Sequence, residues 1–395
     1  MKKIIIILLS FGIFIVSSVA QAADNTFLSK DWWKNATPQM VEAAISSGVN
    51  LEDRDKNGQT PLMLAVINNQ NPQVIEILIK HGANVKDRAY FTGCTPLILA
   101  AGSNQNPQVI ETLIKHGADV KEKNTYGQTP LMSAAMHHSQ TPEVIETLIK
   151  HGADIKDREE YGGSTLLMIA AMNQTPEVIE TLIKYGANVK DRNKKDMTPL
   201  MHAAESNRNP QVIETLIKHG ADVEDRDKNG RTPLMAAAEH HQTPEIIETL
   251  IKHGANVKDK NENGWTALMF MVKDSQNPQA IETLIKHGAD VEDRDKNGQT
   301  PLMLAAMGNQ NPEIIETLIK HGANVKDKNT FDQTPLMLAT KYGQKKPWVI
   351  ETLIRHGADV KAKDKDGRTA LDYANAYLNI YETNAYQMLK QKTNE

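Results

Sequence analysis

One nine-residue phrase recurs along almost the whole chain. "IETLIKHGA" stands at residues 110–118, returns unchanged from residues 145, 213, 247, 281 and 315, and has near copies from residues 75, 179 and 350. A second phrase, "TPLM" or a close variant, recurs every 33 to 36 residues. It begins at Thr60, Thr95, Thr129, Thr165, Thr198, Thr232, Thr266, Thr300, Thr334 and Thr369. A fixed period of this kind indicates one array of stacked units rather than several independent globular domains.

Each unit has the sequence pattern of two helices. Thr300 can cap a first helix and Pro301 suits its first position. Asn311 and Pro312 repeat this start signal, and the nonapeptide follows with its apolar residues at helical spacing. Gly322 supplies the left-handed residue that ends the second helix. One such unit cannot bury its apolar face alone, so we expect the units to stack, with the nonapeptide as the inner helix of every layer.

These phrases resemble the ankyrin repeat, and the resemblance covers residues from about 38 to 390. The family pattern is Gly-x-Thr-Pro-Leu-His-x-Ala-Ala, followed by a second helix that closes on Gly-Ala-Asp or Gly-Ala-Asn. "GQTPLMLAA" and "HGADV" match it closely. The chain departs in having Met where the family has His, and in a repeat of mostly 34 rather than 33 residues. The resemblance implies an all-α solenoid of helix-turn-helix units joined by β-turn or hairpin-like loops.

Four segments follow from the pattern. We expect a signal peptide at 1–22, an N-terminal segment with a capping helix at 23–50, nine ankyrin repeats at 51–360 and a C-terminal capping repeat at 361–395. The capping segment at 23–50 shows only the second helix of a unit, preceded by Trp32 and Trp33.

The first residues have the layout of a secretory leader. Lys2 and Lys3 precede an apolar run, and Ala20-Gln21-Ala22 has the small-x-small form of a cleavage site. We expect cleavage after Ala22 and export to a bacterial periplasm, with the extracellular space as the second possibility. An uncleaved N-terminal anchor is the alternative. With Cys94 as the single cysteine, no intramolecular disulfide can form.

The sequence shows no convincing catalytic or cofactor site. Eight of the thirteen histidines precede the Gly that closes a second helix, where a His can interact with the last carbonyls. Metal binding stays open at two His pairs, His137-His138 and His240-His241. A formal net charge of −4 without a basic stripe disfavours nucleic acid as a partner. We therefore expect no enzymatic activity, no cofactor and no membrane insertion after leader cleavage.

Differences between the copies point to a partner-binding surface. They concentrate at the turn tips, just before the Thr, and just after the first helix. In ankyrin-like proteins these positions line a concave groove that grips other proteins, so the resemblance implies a monomeric protein-binding scaffold, or alternatively a secreted effector acting on a host protein. Another explanation is that exposed loops vary because nothing constrains them. The candidate contact residues are Phe91, Tyr126, Tyr161, Met197, Arg231, Trp265, Phe331, His137, Glu205, Glu239, Lys273 and Tyr342.

Overall fold

The chain folds as helical pairs. The computed structural model describes residues 27–137, 140–240, 243–309, 311–342, 347–377 and 383–394. Within these ranges there are 22 α-helices, and no strand beyond an isolated bridge between Arg158 and Thr165. The chain divides into two compact units, residues 1–188 and 189–395. The all-α fold expected from the repeats is thereby confirmed.

Odd-numbered helices are the first, and even-numbered helices the second, of each pair. The first unit contains α1 Lys30–Asn35, α2 Pro38–Ser46, α3 Pro61–Asn68, α4 Pro72–Lys80, α5 Pro96–Ser103, α6 Pro107–Lys115, α7 Pro130–Met136, α8 Pro142–Lys150, α9 Leu166–Ala171 and α10 Pro176–Lys184. The second unit contains α11 Pro199–Ser206, α12 Pro210–Lys218, α13 Pro233–Glu239, α14 Pro244–Lys252, α15 Ala267–Asp274, α16 Pro278–Lys286, α17 Pro301–Gly308, α18 Pro312–Lys320, α19 Pro335–Tyr342, α20 Pro347–Arg355, α21 Ala370–Tyr377 and α22 Asn384–Asn394.

Local signals define the helix ends. The hydroxyl of Thr232 accepts a hydrogen bond from the backbone N–H of Met235 (3.4 Å), as expected of an N-cap. At the other end of the pair, Gly254 has φ +101°, and the N–H of Ala255 donates to the carbonyl of Leu250 (3.0 Å). This is the closure that a left-handed Gly permits after a helix.

The first helices, not the nonapeptide helices, are the inner ones. In α3, Pro61 to Val66 are all buried, and α17 buries Pro301 to Ala306. In the nonapeptide helix α6, only Val109, Ile110 and Leu113 are buried, and Lys115 is exposed. The prediction that the nonapeptide forms the inner helix was therefore wrong. A helix without a polar face is the one that a stack encloses on all sides.

Buried amides connect several first helices to the preceding repeat. The Asn104 amide donates to the carbonyls of Val66 and Asn69, both at 2.8 Å, and its oxygen accepts from the N–H of Asn106 at 3.0 Å. Asn309 makes the same pair of donations in the second unit. These bonds satisfy carbonyls that the end of a helix leaves without a partner.

Arginines in the polar connectors form a second set of links. Arg54 Nη1 donates to the carbonyl of Gly58 in its own turn and to that of Arg88 in the next repeat, both at 2.9 Å. Arg294 repeats the arrangement with Gly298 and Lys328. Stacking is thus fixed by directional bonds as well as by apolar contact.

We expect Asn104→Ala to lower the free energy of unfolding by about 1–3 kcal/mol, because it leaves two buried carbonyls without donors. Urea unfolding followed by circular dichroism measures this. Asn84→Ala is the matched control, since Asn84 is exposed and its side chain bonds within its own turn, to Asp87 (3.2 Å) and to the N–H of Lys86 (2.9 Å). Equal losses in the two variants would contradict the role given to the buried amide.

The N-terminal segment contains a complete helical pair instead of one capping helix. α1 packs against α3, as a first helix does, and α2 packs against α4. Trp33 in α1 is fully buried, and its indole N–H donates to the carbonyl of Phe27 (2.8 Å). At the other end of the chain, α21 and α22 also form a pair. Both ends of the array therefore consist of two-helix units.

Candidate protein-binding surface

Within individual repeats, residues of two variable sets lie next to each other. In several repeats the residue before the capping Thr reaches the residue eight positions later, at the far end of the same first helix. Gln128 Nε2 lies 3.2 Å from the sulfur of Met136, and the Lys273 ammonium lies 6.0 Å from the centre of the Trp265 ring. We call the surface made by these two positions in successive repeats the variable face.

The turn tips lie in a row within each unit. The N–H of Thr125 donates to the carbonyl of Thr92 in the preceding tip, and the N–H of Thr330 donates to that of Asn297, both at 3.0 Å. The same bond joins Lys365 to Phe331 at 3.2 Å. Side chains on successive tips are therefore held next to one another.

Aromatic rings at these tips are exposed to water. Phe91 is 84% exposed, Tyr161 78%, Phe331 56% and Tyr126 55%. Phe91 also has φ +54°, a conformation that is uncommon for a residue with a large side chain. Tyr342, at the end of α19, is 49% exposed. The structure thus places five of the predicted contact residues where a partner could reach them.

Two other predicted contact residues, Met197 and Trp265, are wholly or partly buried. Met197 is only 5% exposed, since its side chain is part of the core. Trp265 is half-buried, with its ring 5.0 Å from that of Phe270 and its N–H donating to Asp295 (3.2 Å). Met197 therefore offers a partner almost no surface, and Trp265 offers only part of its ring.

Arg231, Glu205 and Glu239 belong to one ionic cluster. Arg231 Nε lies 2.8 Å from Asp227, and its guanidinium also pairs with Glu239 and, at 3.8 Å, with Glu205. Burial raises the pKa of Glu205, although the nearby His240 and Arg231 act in the opposite direction. The predicted contact residues are thus brought together, but their charges largely satisfy one another.

The remaining predicted contact residue, His137, belongs to the first of the two His pairs. His137 is exposed at the end of α7, and its carbonyl accepts from Gln174 at 2.5 Å. His138 and His241, the second members of the two His pairs, lie outside the described residues. Among the residues that the structure describes, no three His, Cys, Asp or Glu side chains are grouped as metal ligands. The Cys94 thiol is buried, with the Asn124 amide at 3.5 Å.

The polar residues of the nonapeptide form ion pairs with one another on the second helices. Glu146 binds Lys150 in its own helix (3.1 Å) and Lys184 in the next repeat (3.0 Å). His356 lies 2.8 Å from Glu316 of the preceding repeat. The expected contact of a His with a last-turn carbonyl occurs at His116, whose Nδ1 is 2.8 Å from the carbonyl of Thr112. The stacking of the repeats therefore explains why these charged residues recur, and no partner protein is needed to explain them.

A cavity of about 470 Å³ opens on the variable face between the last two repeats. Its lining includes two predicted contact residues, Phe331 and Tyr342, together with Gln333, Lys341 and Arg368. Tyr373 underlies it as a buried ring that bonds to Gln333 at 2.9 Å. One sequence feature marks this site: a Tyr, in the last repeat, at the first-helix position where most earlier repeats have a small or aliphatic residue.

Comparison with protein families settles the class of the repeats. The family model for ankyrin repeats, in sets of three copies, matches residues 33–124, 86–159, 167–261, 242–329 and 302–390. The chain belongs to the ankyrin-repeat family. Ankyrin repeats are generally protein–protein interaction modules, and the family is typically non-enzymatic. No curated protein matches the chain. Among the described residues of this ankyrin-repeat protein, no helix is long and apolar enough to cross a membrane.

Proposed function

We propose that this ankyrin-repeat protein is a non-enzymatic scaffold that binds a partner protein through its turn tips and variable face. The observation that carries the proposal is the set of exposed aromatic rings at the tips, with Phe91 and Tyr161 more than three-quarters exposed. Large rings kept in water gain free energy when a partner covers them, and aromatic residues are frequent binding hot spots.

The contrast between the two sides of the repeats supports the same assignment. The second helices have the same charged residues in most repeats, and these residues form ion pairs such as Glu146–Lys184. The tips and the variable face differ from copy to copy, with Gln128, Arg231 and Trp265 at equivalent positions. Different side chains at equivalent positions give each repeat its own contact, as recognition of one particular partner requires.

The proposal is tested by cross-linking capture with two matched variants. In the first, Phe91, Tyr126, Tyr161 and Phe331 are changed to Ser, and Trp265 is left in place because it packs within the fold. In the control, four exposed residues at the ends of second helices are changed to Ser, namely Lys115 in the last turn of α6 and the residues directly after α12, α14 and α16, His219, His253 and His287. We expect a partner that the wild type and the control capture and the aromatic variant loses, with all three folded by circular dichroism.

Equal capture by the aromatic variant and the wild type would move the binding site away from the turn tips. Loss of capture in the control alone would place the site on the second helices. Either result contradicts the proposed surface.

We further propose that the protein acts after export, in the periplasm first and the extracellular space second. The support is the leader pattern of residues 1–22, which lies outside the described residues. Action as an effector on a host protein would require a further export step beyond the periplasm. We expect the protein in a periplasmic fraction to begin at Ala23. A chain that keeps its first residues and sediments with membranes would contradict this.

A further inference from the structure

We propose that the cavity between the last two repeats binds a carboxylate of the partner protein, carried by an acidic side chain in a segment with apolar neighbours. The proposal rests on the protein-binding function above and specifies the chemistry of the partner at one place. The cavity combines aromatic rings, Phe331 and Tyr342, with cations, Lys341, Lys365 and Arg368. It therefore fits an occupant that is both apolar and negatively charged.

Two of the cations have no carboxylate partner among the described residues. The Lys341 ammonium lies 5.0 Å from the centre of the Tyr342 ring and 5.5 Å from that of Tyr373. In the part of the chain that the structure describes, neither Lys341 nor Lys365 forms an ion pair. An ammonium group over a ring is attracted to the ring face but keeps its hydrogen-bond donors for an acceptor. Lys341 is thus placed to receive a carboxylate.

The two acidic residues of the lining are already engaged. Asp364 accepts hydrogen bonds from the Tyr373 hydroxyl (2.5 Å) and from the backbone N–H groups of Arg368 (2.8 Å) and Asp366 (3.0 Å). Burial raises the pKa of Asp364, but these bonds and the Arg368 charge bring it below its ordinary value, so the carboxyl stays ionised. Asp366 pairs with Arg368. A cationic occupant would find no free carboxylate, whereas an anionic one meets Lys341.

The repeat that begins at Thr266 has a larger side chain at the position of Gln333. There the Trp265 ring packs edge-on against the Phe270 ring, and its N–H donates to Asp295, which occupies the repeat position of Asp364. Between the last two repeats the position of Trp265 belongs to Gln333, which is smaller and bonds to the Tyr373 hydroxyl. An indole ring thus lies, two repeats earlier, at the position where Gln333 lines the cavity. An apolar side chain of the partner, next to the carboxylate, can fill it.

A pair of labelled peptides tests this on the purified full chain. Fluorescence anisotropy compares Gly-Phe-Glu-Leu-Gly with Gly-Phe-Gln-Leu-Gly, which differ only in the carboxylate. We expect the Glu peptide to bind about fivefold more tightly than the Gln peptide, the scale of one partly exposed ion pair. The difference should shrink as salt is added, because ions screen charges at the surface.

Two variants locate the effect. Lys341→Met should abolish the preference for the Glu peptide. Lys252→Met, which removes the same charge from the exposed end of α14, should leave the preference unchanged. A wild type that binds the two peptides equally, or binds neither, overturns the inference, as does an unchanged preference in Lys341→Met. These outcomes leave the proposed scaffold function intact, since the aromatic variant at the turn tips tests that function separately.

Discussion

Leu250→Ala is expected to lower the free energy of unfolding by about 2–5 kcal/mol, the cost of removing a large buried aliphatic side chain and leaving a cavity. Leu250 is fully buried in α14, which packs against α12, α13 and α16. A substitution there therefore weakens contacts with two neighbouring repeats as well as with its own first helix. Urea unfolding followed by circular dichroism gives the change, provided that the transition remains cooperative across the repeats.

Glu248→Ala in the same helix is the matched control. Glu248 is exposed, so we expect its loss to change the unfolding free energy by no more than about 0.5 kcal/mol. A similar loss in both variants would contradict the assignment of the apolar nonapeptide positions to the interface between helices.

Gly264→Ala is expected to cost about 3 kcal/mol, since two effects combine. Gly264 has φ +81°, where a side chain costs about 1–2 kcal/mol. A Cβ there would also lie 3.0 Å from the backbone nitrogen of Lys296 and 3.1 Å from the Cα of Asp295 in the next repeat. Overpacking against backbone adds about 1–3 kcal/mol. The variant should also weaken the bond from the N–H of Lys296 to the carbonyl of Asn263 (3.0 Å).

Gly254→Ala separates the two effects. Gly254 has φ +101° but nothing within 4 Å of the added Cβ, so only the conformational cost of about 1–2 kcal/mol applies. Thermal and urea unfolding of the pair should rank Gly264→Ala as the less stable. The reverse order would mean that contact between successive turns adds little to the stability of the array.

Features set by residues close in sequence could be predicted. The Thr cap bonds to an N–H three residues later, as at Thr232, and the closing Gly acts within one turn, as at Gly254. Such signals depend on only a few adjacent residues. The same holds for the turn tips, where the positions of Phe91 and Tyr161 followed from the polar connectors around them.

Features set by the next repeat could not be predicted in this way. Arg54 bonds to a carbonyl 34 residues later, and Asn104 to a carbonyl 38 residues earlier. Met197 and Trp265 occupy variable positions, yet neighbouring side chains decided whether they turned inward. The prediction of which helix is the inner one was wrong, although the amino-acid pattern of the first helices indicates it. A helix such as α17, without a polar face, must be enclosed on every side.

The binding surface is tested most directly by a photo-cross-linking amino acid, benzoylphenylalanine, introduced singly at Phe91, Phe331, His219 or His253. The first two positions are exposed turn-tip rings and the last two are exposed ends of second helices. We expect irradiation of the cell envelope to give a discrete cross-linked product from Phe91 or Phe331 and none from the two His positions. A product that forms only from His219 or His253 would contradict the account, because the partner would then lie against the helices whose charges serve the stacking of the repeats.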